Sequence, residues 1–221
     1  MFKAIFFDLD DTIVNSLGPH IKAQRKIFEL YGIDYDEIER RTRHHDFFGM
    51  RVIDILEIER DLMDISEEKL SLSELAAKRQ EIFLELVKKE AKLFEGAEEA
   101  IKFAKKQGKI VAIVSSGTKK YIQLVMDIFK LEKYIDFFIC EEDVRKGKPS
   151  PDCYLKAFEK LPKEKKIRKD ECLVVEDSVK GVQAANAAGI PVCYVPFTQT
   201  KEDITFDFKI KTLKELPHII K

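Results

Sequence analysis

The sequence is poor in the features that mark several large classes of protein. Its four cysteines, Cys140, Cys153, Cys172 and Cys193, stand far apart. No C-x-x-C pair and no histidine at zinc spacing accompanies them, so neither a zinc module nor a disulfide framework is expected. Cys140, Cys172 and Cys193 fall in apolar, strand-like runs and read as buried free thiols of a reducing cytoplasm. Net charge is also missing. The 39 basic and 40 acidic residues leave a formal charge of −1, which gives no global pull toward nucleic acid or an anionic membrane. No run reaches about 18 consecutive apolar residues and no signal-peptide core opens the chain, so neither a membrane span nor a secretory leader is expected. No G-x-G-x-x-G follows the first apolar run and no Walker A loop is present, which weakens dinucleotide and P-loop readings. Internal repeats and low-complexity segments are lacking too. Asparagine occurs only at Asn15 and Asn186; with abundant lysine and glutamate, this hints at a thermophilic source.

What is present is enough apolar sequence, 45% of 221 residues, for one large domain or a core with a smaller insert. The run Phe2–Phe7 reads as a buried parallel strand. It ends in three carboxylates within four residues, Asp8, Asp10 and Asp11. Taken alone, that turn is either a set of solvated aspartates or a site for a hard cation or for nucleophilic and acid–base chemistry.

From about residue 16 to 92 no strand is evident. Helical spacing marks 20–31, with Gly32 as its stop, then 50–62, and a long helix over about 67–90 with Ser66 as N-cap. The pattern then changes. Strands at 110–114, 137–140, 172–175 and 191–195 alternate with helices at 98–106, 119–129, 152–161 and 179–188. A weak edge strand at 206–210 and a short terminal helix follow, and the charged run 162–171 reads as a solvated loop. The alternation predicts an α/β fold with a Rossmann-like parallel sheet and right-handed crossovers.

In such a sheet the C-terminal strand ends lie on one edge, where ligands bind. Four of them carry polar chemistry. The first offers Asp8 and Asp10, and the second Ser115 with the N–H groups of Ser116 and Gly117. A loop after the third supplies Lys148, and the fourth offers Glu176 and Asp177. Carboxylates around a cation, a hydroxyl and a lysine suit phosphoryl transfer better than acyl or hydride chemistry.

These same segments resemble the haloacid dehalogenase superfamily. Asp8-Leu9-Asp10-Asp11-Thr12 is similar to its D-x-D-x-T motif and Ile113-Val114-Ser115 to its second motif. Lys148-Pro149-Ser150-Pro151 is similar to the third, and Val174-Val175-Glu176-Asp177-Ser178 with Gly181 to the fourth. The order is the family's, and the similarity is strongest to its β-phosphoglucomutase and phosphoglycolate phosphatase branch. The resemblance implies a catalytic core of residues 1–15 and 93–221 and a helical cap of residues 16–92. It implies that Asp8 is the nucleophile and Asp10 the general acid–base. Lys148 and Ser115, with the Ser116 N–H, would hold the phosphate. Mg²⁺ would sit on Asp8, the Asp10 carbonyl and Asp177, with Glu176 bound directly or through water. Thr12 would tie the turn together, and Asp11 has no catalytic role assigned.

The cap offers His20, His44, His45, Phe47, Phe48 and Arg51 as substrate contacts, with Gly49 marking the loop that faces the site; for His44 and His45 beside Arg43 a solvated basic turn is the alternative. Arg51 stands one position away from the arginine of the sugar phosphomutase cap. The expected activity is Mg²⁺-dependent hydrolysis of a small phosphorylated metabolite in the cytoplasm. A sugar phosphomutase and a non-catalytic binding module are the alternatives. Neither nucleic acid nor membrane is an expected partner, and monomer and dimer both remain open.

Overall fold

The computed structural model describes residues 1–68, 70–196 and 204–221. Its centre is strand β1 (Ala4–Phe7), every residue of which is buried. The two faces of β1 serve different cores. Ile5 and Phe7 pack in the cluster that contains Ala100, Ile122 and Leu216. Ala4 and Phe6 pack in the cluster that contains Tyr154, Val182 and Ala185. A strand covered on both faces needs a continuous apolar run, which is what the sequence has here.

The chain then forms β2 (Val14–Asn15) and four helices: α1 (Leu17–Leu30), α2 (Tyr35–Thr42), α3 (Val52–Leu62) and α4 (Leu72–Glu90). It returns through β3 (Lys92–Leu93) and continues as α5 (Ala97–Lys106), β4 (Ile110–Val114), α6 (Lys119–Phe129), β5 (Phe137–Ile139) and α7 (Asp152–Glu159). The last elements are β6 (Cys172–Glu176), α8 (Val179–Ala188), β7 (Val192–Tyr194), β8 (Phe208–Lys209) and α9 (Leu216–Ile220). The main sheet has the order β5-β4-β1-β6-β7-β8, with every pairing parallel. Chain direction across the sheet reverses beside β1, so the C-terminal ends of β1, β4 and β6 frame the crevice where such sheets hold ligands.

The four helices between β2 and β3 have a core of their own, built on Ile27, Phe28, Ile38, Leu56 and Leu75. They connect to the sheet through a two-stranded antiparallel ribbon that pairs Val14 with Leu93 and Asn15 with Lys92. That ribbon was not expected, since two-residue strands carry no periodicity. Helix α2 was not expected either. It is mostly charged, and it starts where the Asp34 carboxylate accepts the Asp36 N–H.

The long helix begins later than its apolar spacing predicts, at Leu72 rather than near Glu67. The chain turns first, with Leu70 N–H donating to Ser66 O, and the Glu67 carboxylate accepts the Leu72 N–H that the helix leaves free. Lys69, placed by the sequence in the first turn, lies outside the described residues. All four cysteines are buried and unbridged. No described helix is long and apolar enough to cross a membrane.

Candidate active site

At the end of β1 the chain makes a tight turn. Asp11 takes a left-handed conformation, with φ at 55°, and Ile13 and Val14 both donate to the Leu9 carbonyl. The turn sends Asp8 and Asp10 to the sheet edge. Lys148, from the loop before α7, reaches Asp8 Oδ1 at 2.6 Å and also donates to Glu176 Oε1. All three groups are buried. Burial raises the Asp8 carboxyl well above its ordinary value, against the pull of Lys148 and with a further push from Glu176. Burial works to lower Lys148, but Asp8 and Glu176 hold it well above the usual lysine value.

Glu176 is saturated. Oε1 accepts from Lys148 and from the Tyr154 hydroxyl at 2.7 Å, while Oε2 accepts from Asp177 N, Ser178 N and Ser178 Oγ. A Cβ on Gly181 would overlap this carboxylate, which explains the glycine three residues into the helix that follows. So Glu176 acts chiefly as the seat of Lys148. Asp177 has more freedom: Thr12 Oγ1 donates to its Oδ1 at 3.0 Å, and its other oxygen carries no bond to a described residue. Burial, with the charges of Glu176 and Asp8, pushes Asp177 well above the usual range. Asp8, Glu176 and Asp177 bring carboxylate oxygens within 4.8 Å of one another. A group of buried acids with one lysine to balance it suits a hard divalent cation on oxygen ligands.

Asp10 faces different company. Oδ1 accepts from Ser16 Oγ at 2.6 Å and from the Tyr121 hydroxyl at 2.7 Å, and His20 Nε2 stands 3.4 Å away. Ser115 Oγ donates to Oδ2 at 3.2 Å and accepts the Gly117 N–H. Burial alone would raise the Asp10 carboxyl, but the bonds and charge from His20, with Ser16 and Tyr121, hold it below the ordinary value. Asp11 accepts the N–H groups of Ser16 and Leu17, and burial lifts it to about 7. It thereby ties the acidic turn to the first residues of α1.

The helices close over this edge. Ser116 Oγ donates to the Gly49 carbonyl at 2.8 Å, Lys180 pairs with Asp46 at 2.8 Å, and Gln80 donates to Thr118 Oγ1 at 2.6 Å. Gly49, with φ at 79°, lies against Ser178, where a Cβ would come within 2.6 Å of Oγ. Beneath is a cavity of about 390 Å³, lined from the sheet by Asp8, Asp10 and Asp177, from α1 by His20, and from the loop between α2 and α3 by His45, Phe47 and Phe48.

Two of the cap residues read from the sequence stand elsewhere. His44 is exposed and accepts from Arg43 Nε, while Arg51 pairs with Asp54 and donates to the Arg145 carbonyl. Neither lines the cavity.

The sequence reading missed several groups that do reach the site. Tyr121 sits in the first turn of α6, and its hydroxyl is invisible in an otherwise apolar face. Gln24, Glu59 and Arg79 are buried on α1, α3 and α4 and line the cavity. Arg79 carries a usable signal. It stands between Leu75 and Phe83 at the four-residue spacing of the buried stripe, and a charged residue there calls for a partner.

Comparison with known proteins shows the family. The family model described as haloacid dehalogenase-like hydrolase matches residues 5–195. The chain is 30% identical over 196 residues to the phosphorylated carbohydrates phosphatase of Thermotoga maritima, covering 87% of this chain and 84% of that protein. It is 27% identical over 219 residues to hexitol phosphatase B of Escherichia coli, covering 96% and 93%. Among solved structures, CbbY from Rhodobacter sphaeroides in complex with phosphate superposes with a TM-score of 0.80 at 24% identity, over 98% of this chain and 96% of that one. At that identity the likeness speaks for the fold alone.

Proposed function

The chain belongs to the haloacid dehalogenase-like hydrolases, and from that premise we propose that it is an Mg²⁺-dependent phosphatase that cleaves small phosphorylated carbohydrates through an aspartyl-phosphate on Asp8. One observation carries the reading: Asp8, pinned by Lys148 at 2.6 Å, and Asp10, held by Ser115 and Tyr121, open side by side on one covered cavity. The two relatives at 27–30% identity, both named as phosphatases of carbohydrate or hexitol phosphates, support the substrate class.

The residues divide the work as follows. Lys148 holds Asp8 Oδ1, so the other carboxylate oxygen attacks phosphorus and the P–O bond to the leaving alcohol breaks. Asp10 gives that oxygen a proton; the arriving phosphate dianion raises its pKa toward the value such an acid needs. Asp10, now ionised, takes a proton from water as water attacks the phosphorus, which releases inorganic phosphate and restores Asp8. Ser115 and the Ser116 N–H hold phosphate oxygens. Mg²⁺ on Asp8, Asp177 and the Asp10 carbonyl would neutralise phosphate charge, while Glu176, with both oxygens taken, remains outside that set. Residues 16–92 act as a cap on the β2–β3 ribbon, and closure keeps bulk water from the site.

The test is phosphate release from a panel of sugar and polyol phosphates in Mg²⁺, with β-glucose phosphate isomerisation followed in parallel. Phosphate release from several members is expected. Isomerisation without release would replace hydrolysis by a mutase reaction, and neither activity would leave a binding module.

A further inference from the structure

Beyond His20, which stands between Asp10 and Arg79, one end of the cavity holds polar groups that the chemistry at phosphorus does not use. Glu59 and Arg79 are only 2% and 3% exposed, and both line the cavity together with Gln24 and Tyr35. Gln24 bridges the charged pair: it donates to Glu59 Oε2 and accepts from Arg79 Nε at 2.6 Å. Arg79 Nη2 donates to His20 Nδ1 at 2.9 Å and to the His20 carbonyl at 3.3 Å. Arginine has no acceptor, so His20 Nδ1 must accept, and the proton of a neutral ring then lies on Nε2, facing Asp10.

One group is left over. Two buried side-chain nitrogens among the described residues have no hydrogen-bond partner, Arg60 Nε and Arg79 Nη1. Only Arg79 belongs to the cavity wall. An unpaired buried donor costs stability unless something satisfies it, so a ligand group placed there recovers that cost.

The charge of this end narrows the choice of ligand. Among the described residues lining the cavity, Arg79 is the sole lysine or arginine, against six acids: Asp8, Asp10, Asp11, Asp46, Glu59 and Asp177. Its charge is offset through Gln24 by Glu59. A second phosphate would bring several acceptor oxygens to one free nitrogen beside a carboxylate. A hydroxyl needs only one donor and one acceptor, and it adds no charge.

We propose that Arg79, Gln24 and Glu59 form a recognition site for an uncharged hydroxyl at the end of the substrate remote from phosphorus, so that the enzyme selects polyol or sugar monophosphates over analogues with a carboxylate or second phosphate at that end. The proposal rests on the phosphatase reading above and adds to it the residues and charge rule that select the leaving group. It also assigns Arg79 a second role, since the group that meets the substrate hydroxyl also fixes the tautomer of His20 beside the general acid.

The experiment compares glucitol phosphate with the phosphogluconate that has a carboxylate in place of its terminal alcohol, and with a hexose bisphosphate. Assays run at about pH 8, above the value near 7 to which burial lifts Glu59, while Arg79, lowered by burial to about 10, stays charged. The wild-type kcat/KM should favour glucitol phosphate at least about tenfold, the scale of a misplaced or unpaired buried group. Glu59→Gln removes the offsetting charge and should move that ratio about tenfold toward the anionic substrates. Equal or better use of the carboxylate or bisphosphate by the wild type overturns the proposal, as does a Glu59→Gln protein in which all substrates fall alike. p-Nitrophenyl phosphate, whose leaving group carries no remote hydroxyl, reports the phosphatase reading separately, and its failure overturns only that. The same ranking by calorimetry on the Asp8→Asn protein decides the recognition site even without turnover.

Discussion

The sheet edge and the cap wall meet across one cavity, and they handle buried charge differently. At the edge, Lys148 bonds both Asp8 and Glu176, and Glu176 accepts five hydrogen bonds from described residues. At the wall, Gln24 mediates between Glu59 and Arg79, and a guanidinium nitrogen remains free. A saturated cluster is rigid and carries chemistry that does not vary with the substrate. An unsaturated one is completed by whatever enters, so it can choose. Under the proposed function, the contrast assigns catalysis to the core and selection to the cap on electrostatic grounds.

The contrast can be broken most severely at the edge. Asp8→Asn should lower phosphate release from an aryl phosphate by roughly 10⁴-fold or more, as loss of a nucleophile does elsewhere; residual activity near wild type would remove Asp8 from that role. Gly181→Ala places a methyl against the Glu176 carboxylate. It should cost about 1–3 kcal/mol, as core overpacking does, read as a lower denaturant midpoint, and should loosen Lys148, read as a fall in kcat. A comparable surface glycine-to-alanine change, such as one at Gly18, should do neither.

Tyr121→Phe tests where edge and wall join. It deletes one hydrogen bond to Asp10, so kcat should fall by about tenfold, the scale of a hydrogen bond to a charged group. That bond helps to hold the Asp10 carboxyl low, so its loss should move the acid limb of the kcat profile to higher pH. A uniform fall with no shift would make Tyr121 merely structural.

Metal addition gives a gentler test. Burial raises the pKa values of both Asp8 and Asp177. They therefore take up protons at higher pH than ordinary carboxylates as pH falls, and a cation must displace those protons. The rise in Tm on adding Mg²⁺ should be larger at about pH 8 than at about pH 5, and an unchanged or reversed difference would argue against these ligands.

The smallest effect is expected at the cap rim. Lys180→Ala breaks an ion pair with the partly exposed Asp46. It should change stability by less than about 1 kcal/mol, as exposed pairs do, and raise KM more than it lowers kcat.

The same contrast explains what the sequence could reveal. The convergence at the edge was legible because three strands bring a candidate residue immediately after an apolar run: Asp8 after Phe7, Ser115 after Val114, Glu176 after Val175. Adjacency in sequence there equals position in space. The wall was not legible in the same way, because Gln24, Glu59 and Arg79 come from three helices and meet only through tertiary packing. Arg79, on the buried stripe between Leu75 and Phe83, was the one trace of it. The loop residues His44 and Arg51 drew attention by composition, yet their side chains find partners away from the cavity. The ribbon formed by Val14–Asn15 and Lys92–Leu93 was too short to carry a period.

The central claim is that Asp8 carries the phosphoryl group, and it can be seen directly. Asp10→Asn retains Asp8 but removes the base that activates water. With p-nitrophenyl phosphate, whose leaving group needs no proton, and Mg²⁺, the variant should accumulate one phosphoryl group per chain. Peptide mass analysis should place that group on Asp8, and Asp8→Asn should abolish it. A phosphoryl group on any other residue, or sustained hydrolysis by the Asp8→Asn protein, would contradict the account.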